Sequence, residues 1–468
     1  MSLRALVLAP AAALSLVAIP IACGSYSSPS DNGGGPSGQS GAVGSGGAGP
    51  SGGNSSAGSM TSPSAGSGGS GTGSSAGAGA VAGATATGGA TATGGATATG
   101  GATAAGGATA TGGATAAGGA GTAGAPSVTL PCDVLKNGSN KCVAAHSTVR
   151  VIVAGYTGPL YQLCKGTASA GPSSCKGTMQ DVGSKDGYAD VAAHDAFCSA
   201  GSCTITKIYD QSGQKNDLEP APKGGAKGTP DNPADAGALK VTLNGHSAYG
   251  ILIKAGIGYR TGCSACNVKA GNGMVKGDDP ETMYWVTSQK DLIDNCCFDY
   301  GNAETTSNDD GNGTMEALYF GGGVVWGTGA GGKPGPWIMA DIENGLYAGW
   351  ENKQDKNIST NKALKYDFVT GVLLGDTKDK NAGKGRFALY GGDATTGTLQ
   401  QMYDGLRPEK PGYVPMLKQG SIILGIGGDN SNGAGGRFYE GAISVGPAPS
   451  KDVVDALQAA IVAAKYGK

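Results

Sequence analysis

Beyond Pro131-Cys132, apolar residues come in short runs that Gly, Asn and Asp interrupt, which is how strands joined by tight turns read. The strands predicted in this way are Thr148–Val153, Thr204–Tyr209, Leu239–Leu243, Thr282–Val286, Ala317–Phe320, Phe368–Leu374, Arg386–Tyr390, Ser421–Ile426 and Phe438–Val445. Helical spacing is scarce. Its clear instance is C-terminal, where Ser450 can cap a helix whose Val453, Val454, Leu457 and Ile461 share one face. A parallel α/β sheet would need helices between its strands, and these are missing. The predicted class is all-β: a two-sheet β-sandwich of jelly-roll or concanavalin-like type with a short C-terminal helix.

One more run, Trp337–Gly349, reads as a strand. Alternation places Met339, Asp341 and Glu343 on one face and Ile338, Ala340 and Ile342 on the other. Two carboxylates on one face, ahead of a Gly-rich exit, suit the floor of a polar cleft. Alone, they suit a solvated strand face better.

The N-terminal part has a different composition. Residues 1–22 carry one positive charge, Arg4, and then an apolar run too short to span a membrane; they read as a signal peptide. Ala22-Cys23-Gly24-Ser25 resembles a bacterial lipoprotein processing site, with Cys23 as the lipidated residue. Residues 23–126 are nearly all Gly, Ala, Ser and Thr, and Gly-Gly-Ala-Thr-Ala-Thr/Ala repeats from Gly83 to Gly119. Such a chain buries too little apolar surface to offset its entropy, so a disordered tether is expected. The foldable domain is 127–468. The expected location is outside the cell, on the outer surface through a lipid anchor.

A formal net charge of −2 and no basic stripe with interleaved aromatics argue against a nucleic-acid partner. Ten further cysteines form five sequence-local couples: Cys132/Cys142, Cys164/Cys175, Cys198/Cys203, Cys263/Cys266 and Cys296/Cys297. They fit an oxidising compartment, and local pairing is the simplest connectivity. Cys263-Ser-Ala-Cys266 has no second such motif, and His146, His194 and His246 are the only histidines, so no zinc site is expected. Neither a metal nor a cofactor is expected.

The same three histidines each stand alone, which leaves a Ser or Cys nucleophile without a base. Carboxylates say more. Ile426-Gly-Gly-Asp429-Asn-Ser-Asn-Gly delivers an acid from an apolar strand to a tight turn, and with Glu343 it makes the pair that glycoside hydrolysis requires. Asp294-Asn-Cys296-Cys297-Phe-Asp299-Tyr-Gly-Asn-Ala-Glu304 offers three readings: a ring disulfide with a flat, polarisable face, two long-range disulfides, or a calcium loop with Asp309 and Asp310. Aromatics gather near the acidic run, namely Tyr319, Phe320, Trp326, Trp337, Tyr347 and Trp350. Most are expected in the core, with Trp326 the best candidate for a site wall.

From Pro131 to Gly467 the chain resembles the catalytic domain of glycoside hydrolase family 54, the α-L-arabinofuranosidases. The segments that carry the resemblance are Cys142-Val-Ala-Ala-His-Ser-Thr, Ile208-Tyr-Asp-Gln-Ser-Gly, Cys296-Cys-Phe-Asp-Tyr-Gly-Asn-Ala-Glu-Thr, Trp337-Ile-Met-Ala-Asp-Ile-Glu-Asn, Gly425-Ile-Gly-Gly-Asp-Asn-Ser-Asn-Gly and Ile461-Val-Ala-Ala-Lys-Tyr. The resemblance implies a β-sandwich that removes terminal arabinofuranosyl residues from arabinoxylan and arabinan with retention. It implies Glu343 as nucleophile and Asp429 as general acid/base. Asp341, Asn344, Gly345, Leu346, Trp326 and Gly428 would line the sugar site, with a Cys296–Cys297 disulfide beneath the ring. Cys132–Cys142 and Cys198–Cys203 match family disulfides, whereas Cys164/Cys175 and Cys263/Cys266 are expected to staple loops. Asp299 and Glu304 are expected to order a loop. Gly345 departs from the Asn that the family uses to touch the sugar. The family's C-terminal arabinose-binding module is expected to be absent. The expected partners are arabinose-containing plant polysaccharides, bound by a monomer. Two other readings are a lectin-like sugar-binding lipoprotein and a galactofuranosidase on the same site.

Overall fold

A computed structural model describes residues 129–322, 331, 332, 334–350, 358–376 and 385–468. Cys23 and Trp326 lie outside the described residues.

Two antiparallel sheets carry the domain. The six-stranded sheet runs, edge to edge, Lys141–Ser147, Glu440–Val445, Glu281–Thr287, Val369–Gly375, Arg386–Asp393, Gln400–Leu406. The seven-stranded sheet runs Leu346–Tyr347, Trp337–Asp341, Glu316–Gly321, Asp299–Ala303, Ser421–Leu424, Tyr259–Thr261, Glu219–Pro220. Central strands are buried along their whole length, because one face meets the other sheet and the second lies under loops. Glycines let the sheets approach closely. A Cβ on Gly371 would lie 2.6 Å from Ile338 Cδ1, and one on Gly441 2.7 Å from Tyr300 Cε1. Ile338 therefore faces the core, as alternation requires, and Asp341 faces away from it.

Smaller units flank the sandwich. A four-stranded sheet holds Tyr161–Lys165 between Thr178–Val182 and Cys203–Ile208, with Ala234–Asp235 beyond. Helix α1 (Pro131–Asn137) packs on helix α3 (Lys451–Val462), and Cys132–Cys142 ties α1 to the first strand. Helix α2 (Val191–Cys198) is capped by Asp190, which accepts from Ala193 N at 3.2 Å.

Several predicted boundaries move, each for a local reason. Thr148–Val153 is not a strand. Ser147 Oγ accepts from the N–H groups of Val149 and Arg150, turning the chain, and the strand precedes that turn. Phe438–Val445 breaks at Tyr439: Gly436–Phe438 pairs with Ile251–Ile253, whereas Glu440–Val445 joins the six-stranded sheet. Ser450 holds the N-cap position of α3 without a side-chain cap bond, while Val454, Leu457 and Ile461 are buried as expected. Trp337–Gly349 is a hairpin rather than one strand. It pairs as far as Asp341, turns, and returns through Leu346–Tyr347 opposite Asp341 and Ala340.

Candidate active site

Three arms converge on one place. The first is the hairpin turn after Asp341. Glu343 and Asn344 both hold left-handed backbone, with φ of 59° and 56°. Such a conformation costs a non-glycine residue about 1–3 kcal/mol. Three bonds hold it. Asp341 Oδ1 accepts from Glu343 N at 3.1 Å, Tyr413 Oη donates to Glu343 O at 2.7 Å, and Asn344 Nδ2 donates to Asp309 Oδ1 at 3.1 Å. Alternation ends at Asp341, so the turn, not strand periodicity, brings Glu343 beside it.

The second arm leaves the strand Ser421–Leu424 and closes a turn in which Asp429 Oδ1 accepts from Ser431 N at 2.9 Å. Asp429 is half-exposed. The third arm is the disulfide between the adjacent Cys296 and Cys297, joined by a cis peptide bond. Cys297 N donates to Ser431 O at 3.3 Å and Gly433 N to Cys296 O at 3.0 Å, which fixes the disulfide to the Asp429 turn. Cys297 Sγ lies 3.5 Å from Asp341 Oδ2.

Beneath these arms lie two acids that sequence reasoning assigned to loop ordering. Asp299 and Glu304 bracket the central strand Asp299–Ala303, and both are wholly buried. Asp299 meets the carboxyl of Asp341, and Glu304 meets that of Glu343. Gly428 wedges against the second pair: a Cβ there would fall on Glu304 Oε2 and come within 3.0 Å of Glu343 Oε2. Only glycine fits. No sequence signal marks these acids, since five residues apart on a strand they fall on opposite faces by alternation, and only tertiary packing brings each against an acid of the hairpin.

Burial dominates the electrostatics. It pushes Asp341 up to about 8, with Glu304 and Asp429 adding to the rise while Glu343 N–H and Asp299 oppose it. Asp299 and Glu343 are pushed well above the carboxylate range, first by burial and then by Asp341 and Glu304 respectively. Glu304 rises too, by burial. Arg260, fully buried beside them, donates to the carbonyls of Gly428 (2.6 Å) and Glu304 and to Ser421 Oγ at 3.1 Å. Burial lowers it to about 10, although Glu304, Asp429 and Glu343 pull it upward. Its N–H groups serve backbone oxygens and a hydroxyl, which fixes the loops rather than pairing with an acid.

The other expected site residues distribute as follows. Leu346 is buried and pairs by backbone with Asp341; Asn344 is half-exposed. At Gly345 a Cβ would lie 2.6 Å from Tyr347 Oη, so the Tyr347 ring takes the room a longer residue would need. Tyr319, Phe320, Trp337 and Tyr347 are core residues. All three histidines are structural: His146 bonds Tyr300 and Asn216, His194 bonds Tyr161, and His246 stacks on Tyr188. Asp309 and Asp310 serve turns and side-chain bonds away from Asp299. Ligand atoms of Cys297, Asp299 and Asp341 lie within 4.8 Å of one another. The sulfur belongs to a disulfide and brings no thiolate charge to a metal. The remaining couples also pair: Cys164–Cys175, Cys198–Cys203 and Cys263–Cys266. Five disulfides suit a protein folded in an oxidising, extracellular setting.

Residues 131–467 match the family model described as alpha-L-arabinofuranosidase B, catalytic. The chain belongs to this family. A probable alpha-L-arabinofuranosidase B of Aspergillus fumigatus is 47% identical over 342 residues, covering 72% of this chain and 62% of that protein. An alpha-L-arabinofuranosidase of Hypocrea jecorina is 47% identical over 340 residues, covering 72% and 63%. Among solved structures, an arabinofuranosidase complexed with arabinofuranosyl-alpha-1,2-xylobiose is 43% identical, with a TM-score of 0.64 over 72% of this chain and 66% of that one. The arabinofuranosidase catalytic fold is thus the one described above, a β-sandwich. The chain spans a little under two thirds of the length of these relatives.

Proposed function

We propose that the protein is an exo-acting, retaining α-L-arabinofuranosidase that removes terminal arabinofuranosyl residues from arabinoxylan and arabinan side chains. The observation that carries this reading is the convergence of Glu343 and Asp429 over the Cys296–Cys297 disulfide in a chain of the arabinofuranosidase B catalytic family. Glu343 attacks the anomeric carbon while Asp429, half-exposed, protonates the leaving oxygen; Asp429 then takes a proton from water to release the sugar. Asp341, Asn344, Leu346 and Gly428 line the sugar site, and the disulfide supports the ring. A relative's complex with arabinofuranosyl-alpha-1,2-xylobiose supports a xylan side chain as substrate. Arabinose release from arabinoxylan, with the first-formed anomer read by proton NMR, tests the reading. No release, or inversion, overturns it.

Residues 1–126 complete the proposal: a signal peptide, a lipidated Cys23 and a Gly/Ala/Ser/Thr-rich linker to the catalytic domain. Cys23→Ala would then move the protein from the membrane fraction to the medium, and an unchanged distribution would remove the anchor from the proposal.

A further inference from the structure

Glu304 is wholly buried, whereas Glu343 keeps 4% of its surface exposed, so only Glu343 reaches a bound sugar. The two carboxyl groups meet beside Gly428. Two carboxylates offer only acceptors, and a bond between them exists only when one holds a proton. Glu304 Oε1 has its own donor, Thr314 Oγ1 at 2.7 Å. Gly311 O, the other acceptor in reach of that hydroxyl at 2.6 Å, already receives Thr314 N at 3.3 Å. Glu304 Oε2 has no donor. Arg260 gives its bonds to backbone oxygens and Ser421.

We propose that Glu304 is the positioning residue of Glu343: held as the neutral acid, it donates through Oε2 to one oxygen of the Glu343 carboxylate and leaves the other free to attack. The shared proton rests on the meeting of the two carboxyl groups beside Gly428 and on their burial; its catalytic consequence rests on the reading of Glu343 as nucleophile. The groups facing the pair from other elements are Asp341, Asp429 and Thr314, with Tyr413 on the Glu343 carbonyl. Arg260 is the cation that faces them. This surrounding opposes a second negative charge on the pair, as burial of both acids does, and their mutual bond by itself favours the proton on Glu343; placing it on Glu304 instead leaves the acid that reaches the sugar ionised. When Glu343 bonds to the anomeric carbon its charge is lost and the proton stays on Glu304. When that ester breaks, the carboxylate returns to the same donor.

The test compares variants with an aryl arabinofuranoside across pH, alongside their urea midpoints. Glu304→Gln keeps a donor, so its kcat stays within about tenfold of wild type while the alkaline limb, which reports loss of the shared proton, moves upward. Glu304→Leu removes the donor, so kcat falls on the order of 10²-fold, KM changes by less than about threefold, and the acid limb rises. The midpoints do not need activity. Between about pH 5 and 8, Glu304→Gln and Glu343→Gln each remove the same pH-dependent part, and the double variant removes no more. Should Glu304→Leu fail to fold, Glu304→Gln and the midpoint cycle carry the test. Wild-type kcat and pH limbs in Glu304→Leu, or additive midpoint effects, overturn the inference. Non-additive midpoints in a protein that releases no arabinose would sink the glycosidase reading and leave the shared proton standing.

Discussion

Glu316 and Glu304 stand close together in the same sheet, one opening a strand and one following the strand beside it, and both are wholly buried. Their surroundings are opposite. Glu316 receives Arg407 Nη2 at 2.8 Å and Lys418 Nζ at 2.9 Å, and Lys418 also reaches Glu281 in the other sheet at 3.3 Å. Burial works to raise Glu316, but the two cations outweigh it and hold it down at about 2. Glu304 has a threonine hydroxyl and another acid. The first cluster gives each of its buried acids a cation and joins the two sheets, although burial still raises Glu281 to about 7. The second is short of cations, and burial raises the acids within it. A buried acid that is matched in this way serves the fold, whereas one left unmatched stores protons, which is what acid/base chemistry needs.

Substitutions should separate the two clusters, beginning with the largest effect. Glu343→Gln is expected to lower kcat on 4-nitrophenyl arabinofuranoside by about 10³-fold or more while its melting temperature stays level or rises, since a costly buried charge is removed. A fall in melting temperature would place Glu343 with the structural cluster. Lys418→Met leaves Glu316 and Glu281 without their shared cation and should cost about 3–5 kcal/mol in urea unfolding. A loss below 1 kcal/mol would mean the network is not needed to join the sheets.

The pH dependence follows from the raised acids. Asp341 is displaced from 3.8 to about 8 and Asp231 from 3.8 to about 7, both by burial. Between those limits the folded chain holds protons that the unfolded chain has released. The stability these two acids contribute is therefore full below about pH 4 and is lost as pH rises toward 8, whereas Glu316, held down at about 2, acts in the opposite sense below about pH 4.5. Melting temperature should drop on the order of 5 °C from pH 5 to 8, and Asp341→Asn should flatten part of that slope. A profile rising over this range would contradict the protonated state of the site. The smallest effect concerns Gly345→Asn, which must displace the Tyr347 ring. About 1–3 kcal/mol of stability is expected to be lost, with no tighter KM.

The sandwich was legible because period-two alternation and turn residues are local signals, and most runs from Thr204 to Ser421 lie within a residue or two of their strands. Glu343 and Asp429 were singled out through resemblance, and the catalytic role proposed for Glu343 is the one its substitution above tests. The manner of their delivery was not legible, because the left-handed turn at Glu343–Asn344 depends on Asp341, Tyr413 and Asp309, none of which is marked as a turn former at that position. Arg260 lies 168 residues from Gly428, and a contact of that separation leaves no trace in a periodicity. Asp299 and Glu304 resemble loop acids until tertiary packing places a second acid against each.

Gly428 has a consequence for how this cleft can diversify. Its carbonyl is held by Arg260 and its Cα is pressed against two carboxyl groups, so that wall admits no side chain and no drift by single substitutions. On the proposed reading, room for new preferences among furanosides lies on the hairpin at Asn344 and Gly345. The departure that the resemblance implies at Gly345 lies on that hairpin.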